Sequence, residues 1–194
     1  MSPLAEEGGS RQAAVGAMDN ILVFDVETQH SAAEVGGWDH IRDMRLAVAV
    51  AYSAADDVYT SYTEQEATQL VSALQQAELV VGYNVIRFDY EVLSAYTEDR
   101  LSDLPTADML RDLHQALGWR PKLDNVAYAT LGEGKSGDGL QAVEWFRRGE
   151  VDKVIDYCRR DVEVTWRVFD FGRRNGYVSC RDRRWQTHKV PVSW

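Results

Sequence analysis

From Asn20 to Thr28 the chain reads Asn-Ile-Leu-Val-Phe-Asp-Val-Glu-Thr, a nearly unbroken apolar, β-favouring run that closes on two acids. Such a run predicts a strand buried on both faces, the middle of a sheet. Arg45 to Tyr52 predicts a second strand, with alanines at 47, 49 and 51 making one face small enough for close packing on a helix. After a turn at Asp56-Asp57, period-two alternation from Val58 to Tyr62 predicts a third strand. Short connections make these three an antiparallel meander. From Thr63 the spacing changes. Thr63-Glu64-Gln65-Glu66 resembles a capping box, and Ala67, Leu70, Val71 and Leu74 follow at helical intervals.

Glu78 to Tyr83 predicts a short buried strand, with a helix over about Phe88 to Tyr96. Pro105 keeps Asp103 to Asp108 out of a helix interior, so a last short strand is expected there. Further helices are expected over Met109–Leu117, Leu123–Leu131, Gly139–Arg148 and Val151–Phe171. The pattern predicts an α/β domain from 20 to 171 and a basic hairpin from 172 to 194, built from Tyr177–Cys180 and Lys189–Val192 and packed on the same domain. Residues 1–19 lack apolar periodicity and read as a mobile tail, with Met18 a candidate natural start.

Composition narrows the class. The 194 residues are 45% hydrophobic, enough for one well-buried domain. A net charge of -10 argues against coating nucleic acid or an anionic membrane by bulk charge. It leaves room for an acidic site whose bound cations present positive charge to phosphate. Cys158 and Cys180 lack metal-ligand spacing and read as free thiols. No apolar run reaches the roughly 18 residues of a membrane span, so a soluble, cytoplasmic protein without a membrane partner is expected. The loop from Gly132 to Gly139 carries Lys135 but lacks the spacing of a phosphate-binding P-loop.

The candidate chemistry lies in the acids. Asp25 and Glu27 are two apart on a strand, so both side chains leave the same face. Burying two like charges together is unfavourable without a cation, and hard Mg²⁺ or Mn²⁺ would suit them. Alternatively, the strand has already ended and both lie in water. Asp89 falls in the first turn of a predicted helix, where it could also serve only the helix dipole. On the last long helix Val154, Tyr157, Cys158, Asp161, Thr165 and Val168 form one stripe, which puts Tyr157 and Asp161 one turn apart on the inward face. A buried Asp–Tyr hydrogen bond is the purely structural alternative. Trp38, in the loop after the first strand, could stack on a base, although such a residue more often covers a sheet edge.

Taken in order, Asp25-Val26-Glu27-Thr28, Asn84 to Phe88-Asp89, and Tyr157-x-x-x-Asp161 resemble the three motifs of the DEDD 3′–5′ exonucleases of the RNase H-like superfamily, in the tyrosine subclass. Leu123 to Leu131 and Lys135 are similar to the exonuclease domains of family B DNA polymerases. The basic tail resembles bacterial RNase H-like proteins associated with helicases. The resemblance covers about residues 20–171 and implies a mixed five-stranded sheet with helices on both faces. It implies hydrolysis of terminal phosphodiesters of nucleic acid, single-stranded DNA before RNA, in DNA repair or nucleic-acid processing. Asp25, Glu27, Asp89 and Asp161 would hold two Mg²⁺ or Mn²⁺ ions, and Tyr157 would orient the attacking water. Thr28, Asn84, Phe88 and Lys135 would contact the substrate, and a helicase is an expected partner. The same fold could instead serve as a catalytically silent nucleic-acid-binding or helicase-docking module.

Overall fold

Ile21 to Thr28 form β1, whose apolar run is buried on both faces, with Val23 and Phe24 fully enclosed. The computed structural model describes residues 20–133 and 139–194; the expected tail (1–19, with Met18) and Lys135 lie outside the described residues. β1 pairs antiparallel with β2 (Leu46–Ser53), and β2 with β3 (Val58–Thr63). On its other edge β1 runs parallel to β4 (Leu79–Gly82), which in turn is parallel to β5 (Thr106–Asp108). The result is a mixed five-stranded sheet in the order β3-β2-β1-β4-β5, an α/β fold of the RNase H-like kind.

Each face of the sheet carries its own core. The small Ala49 and Ala51 of β2 join Phe24 and Val26 against α1 (Ala67–Gln76) and α2 (Asp89–Leu93). The capping box is present: the Glu66 carboxylate accepts Thr63 N–H at 2.9 Å and the Thr63 hydroxyl at 2.8 Å. On the opposite face Val48, Val50 and Tyr52 meet α6 (Val151–Asn175), with α3 (Met109–Leu117), α4 (Leu123–Leu131) and α5 (Gly139–Arg147) around it. No helix among the described residues is long and apolar enough to cross a membrane.

Three elements differ from the expected spans. Residues 38–44, expected as loop, form 3₁₀ turns kinked at His40. The helix expected over 88–96 is only α2, because the chain leaves it to bring the Tyr96 hydroxyl to Leu46 N–H (2.9 Å) and to Glu64 (2.8 Å). The last helix continues four residues past Phe171 to Asn175. Gly172 does not terminate it. A Cβ there would meet the Trp194 ring at 2.6 Å, so the glycine lets the chain end lie against the helix. β6 (Tyr177–Arg181) and β7 (Thr187–Pro191) then make an antiparallel hairpin tied to α4, where Asn125 exchanges bonds of 2.7 and 2.9 Å with the Arg181 backbone.

Candidate active site

β4 pairs with β1 only as far as Val23, so the carboxyl-terminal half of β1 runs on beyond its parallel neighbour. Asp25 and Glu27 stand on that stretch, paired with β2 but open on the β4 side, which is where a ligand meets the carboxyl end of parallel strands. A register shift between Glu27 and Thr28 bends the strand beside them, a device that re-aims side chains at a sheet's rim. From the far side Asp161 reaches the same place. Oxygens of Asp25, Glu27 and Asp161 all lie within 4.8 Å of one another. The two strand acids therefore do not end in water: Glu27 is buried and Asp25 partly so.

Asp89 approaches from the side that β4 vacates. Its Oδ1 accepts the Val26 backbone N–H at 3.1 Å, between the two strand acids, and its side chain is buried. Asp89 is thus neither a solvated dipole partner nor one of the three clustered acids, but it sits against them. Tyr157 and Asp161 stand together on α6, as their spacing predicts, with the hydroxyl close enough to the carboxylate for each to shift the other's proton affinity. Tyr157 also packs edge-on to Trp145 of α5, with ring centroids 6.2 Å apart. Beneath them the buried Cys158 thiol donates to the Asp25 carbonyl at 3.2 Å and lies 3.7 Å from its carboxylate.

Burial dominates the electrostatics. It raises Asp25 and Glu27 well above the usual carboxylate range, and the neighbouring acids raise them further. Burial pushes Asp89 up to about 8 against the opposing effect of its amide bonds. Asp161 rises to about 6, from burial and the charge of Asp124, while the Tyr157 hydroxyl opposes the shift. Burial and then the Asp161 charge raise the Tyr157 phenol, so it stays protonated. Asp161 Oδ1 is buried and has no hydrogen-bond partner among the described residues. Oxygen-only donors, mutual repulsion and an orphaned carboxylate oxygen all fit a hard divalent cation.

Beside this cluster Asn84, Phe88, Trp38, Ile41, Arg87 and Arg120 line a cavity of about 290 Å³. Trp38 does not cover the sheet edge. It is 63% exposed, and its ring stands 6.3 Å from Phe88. Asn84 adopts a left-handed φ of 73°, and its side-chain oxygen accepts Arg120 Nη2 at 2.5 Å. Thr28 is buried, with its hydroxyl donated to His30 O at 2.9 Å. Asp108 carries no catalytic signature in the sequence, yet it accepts the backbone amides of Asn84 (2.9 Å), Ile86 (3.1 Å) and Arg111 (3.1 Å). That buried carboxylate holds the Asn84–Phe88 loop. The basic patch expected on the tail is divided. Arg173 and Arg174 pair with Asp170, Lys189 stacks over Tyr177, and only Arg181, Arg183 and Arg184 share one lining.

A family model described as RNase_H superfamily matches residues 22–171, well over half of the chain. The chain belongs to the RNase H superfamily. Among solved structures it is similar to the family B DNA polymerase from the hyperthermophilic archaeon Pyrobaculum calidifontis, with a TM-score of 0.58 at 17% identity. That likeness covers 79% of this chain but 24% of the polymerase, so the fold corresponds to about a quarter of the larger protein. No curated protein matches the chain. Membership of the RNase H superfamily supports a nuclease-type function on nucleic acid, and the sheet, the strand-end acids and the facing helix are the features by which this chain fits it.

Proposed function

We propose that the protein is a metal-dependent 3′–5′ exonuclease of the DEDD type, tyrosine subclass, acting on single-stranded DNA before RNA in repair or nucleic-acid processing. The observation that carries this reading is the convergence of Asp25, Glu27 and Asp161 within 4.8 Å, with Asp161 Oδ1 left without a partner among the described residues and Tyr157 beside the same carboxylate. Asp25, Glu27 and Asp161 would hold divalent ions, Mg²⁺ or Mn²⁺. Such ions neutralise phosphate charge and acidify water when bound.

Asp89 fixes the strand between the two acids through Val26 and lies buried against them. Tyr157, kept neutral, orients the attacking water with its hydroxyl; it is a poor base at neutral pH. Cys158 supports Asp25 from below. The terminal nucleotide would enter the cavity of Asn84, Phe88 and Trp38, where the rings offer stacking surfaces. A 5′-labelled single strand incubated with Mn²⁺ should shorten stepwise from its 3′ end. EDTA or Asp25→Ala should stop this, because either removes the shared ion. Failure of the wild-type chain to shorten any DNA or RNA strand would leave the silent binding module as the reading.

A further inference from the structure

A cavity of about 1120 Å³ lies outside the acidic cluster, between the connection after α3 and the turn of the β6–β7 hairpin. Its lining carries Arg120, Lys122, Arg181, Arg183 and Arg184 against Asp124 and Asp182, on a protein whose net charge is -10. Trp119 and Trp185 stand among these cations.

The turn is built rather than loose. Asp182 accepts the backbone amides of Arg184 (2.8 Å) and Gln186 (3.0 Å) and bonds the His188 ring at 2.9 Å. Its carboxylate is thereby engaged within the turn. No carboxylate pairs with Arg183 or Arg184 among the described residues. Trp185 is held at a left-handed φ of 62° with 78% of its surface exposed. A bulky residue in that region is an outlier, and an exposed indole contributes nothing to the core. Folding alone does not account for it.

The groove is joined to the active site. Arg120 lines both this groove and the cavity of Asn84 and Phe88, and it binds Asn84 directly. The Tyr83 hydroxyl donates to Pro121 O at 2.7 Å, fixing the connection after α3 to the end of β4. On the same lining Asp124 lies near enough to Asp161 for its charge to act there.

We propose that this groove carries the single strand upstream of the 3′ end, with Trp185 stacking on a base and Lys122, Arg183 and Arg184 facing phosphates. Cationic walls with interspersed aromatic rings suit a single strand, because every base has a π-face and every linkage a charge. The inference rests on the exonuclease reading for the polarity of the strand, and an interaction with protein would need no such spacing of rings and cations.

The test uses the full chain bearing Asp25→Asn, which removes turnover and one repelling charge, and follows fluorescence anisotropy of 5′-labelled thymidine oligonucleotides. The dodecanucleotide should bind at least about tenfold more tightly than the trinucleotide, with a salt dependence the trinucleotide lacks. Trp185→Ala, and Arg183→Ala with Arg184→Ala, should each weaken dodecanucleotide binding about fivefold or more. Arg148→Ala, exposed in the turn between α5 and α6, should not. Emission from Trp185, taken as the difference between the parent and Trp185→Phe, should be quenched as the strand binds. Equal affinity for both lengths, or dodecanucleotide binding unchanged in folded Trp185→Ala and double-arginine variants, would overturn the proposal. The two readings fail separately. Loss of length-dependent binding with Mn²⁺-dependent shortening intact removes the groove alone, whereas groove binding without shortening by the wild-type chain removes the nuclease reading alone.

Discussion

The Asp89 carboxylate accepts the backbone amide of Val26 at 3.1 Å, and so occupies the place that β4 would take if it ran further along β1. One side chain thereby closes an open sheet edge and places an ionisable group beside Asp25 and Glu27. The two roles separate by substitution. Asp89→Asn can still present a carbonyl oxygen to Val26, and it removes a buried ionisable group. In EDTA it should be as stable as the parent or more so. Asp89→Ala leaves the amide without a partner and should cost about 1–3 kcal/mol in urea unfolding. Both should lose Mn²⁺-dependent shortening. Equal stability of the Asn and Ala proteins would remove the amide bond from this account.

Asp108 tests the loop rather than the cluster. Its carboxylate collects the amides of Asn84, Ile86 and Arg111 in a buried setting. Asp108→Ala should destabilise the fold by about 2 kcal/mol or more, since buried donors are left unmade. It should also raise KM for single strands more than it lowers kcat, because Asn84 and Phe88 lose their fixed positions while the acids stay. A fall in kcat alone, with stability intact, would place Asp108 among the reacting groups instead.

How far these features were legible depends on whether the signal is local. The antiparallel meander follows from short connections, and the same-face placement of Asp25 and Glu27 and the inward stripe with Tyr157 and Asp161 follow from periods of 2 and 3.6 along single elements, whereas the mixed five-stranded sheet was an implication of the family resemblance. Asp108 was not legible, because a strand ending in Asp before a helix is an ordinary cap, and its amide partners lie 22 and 24 residues away. Arg120 was invisible for the same reason: only the fold brings it to Asn84, 36 residues earlier. The sequence left Trp38 between a stacking ring and an edge cover, because the pattern of a loop does not show which of its rings the fold leaves exposed. The tail cations looked like one patch, since sequence counts charges and not the Asp170 carboxylate that holds two of them.

Tyr157 separates water positioning from packing. If its hydroxyl merely satisfies Asp161, Tyr157→Phe should cost about 1 kcal/mol of stability and leave the rate unchanged. If it orients the attacking water, single-turnover shortening should slow by roughly 10²-fold or more. Metal affinity should then change little, because the carboxylates and the Trp145 contact remain. Rate and melting temperature measured on one preparation distinguish the two outcomes, and a stable Phe protein at wild-type rate would exclude the tyrosine from the chemistry.

The pH dependence of stability should reveal the acids before any substrate is added. Asp89 is pushed up to about 8 and Asp161 to about 6, from an ordinary value of 3.8, and Asp25 and Glu27 are raised in the same direction. The folded protein therefore binds these protons more tightly than the unfolded chain does. For such groups the stabilisation is complete below the ordinary value and is lost as pH rises through the folded ones. In EDTA the contribution of these acids to stability should decline from about pH 4, more steeply up to about 6 and more gently from there to about 8, where the Asp89 contribution levels off. Mn²⁺ binds only the deprotonated carboxylates, so its stabilising effect should grow over the same interval. Asp89→Asn should make the decline shallower throughout and flatten it most between about 6 and 8, where Asp161 no longer contributes. A melting temperature in EDTA that is flat across this range would mean that the four acids do not share a buried, mutually repelling site.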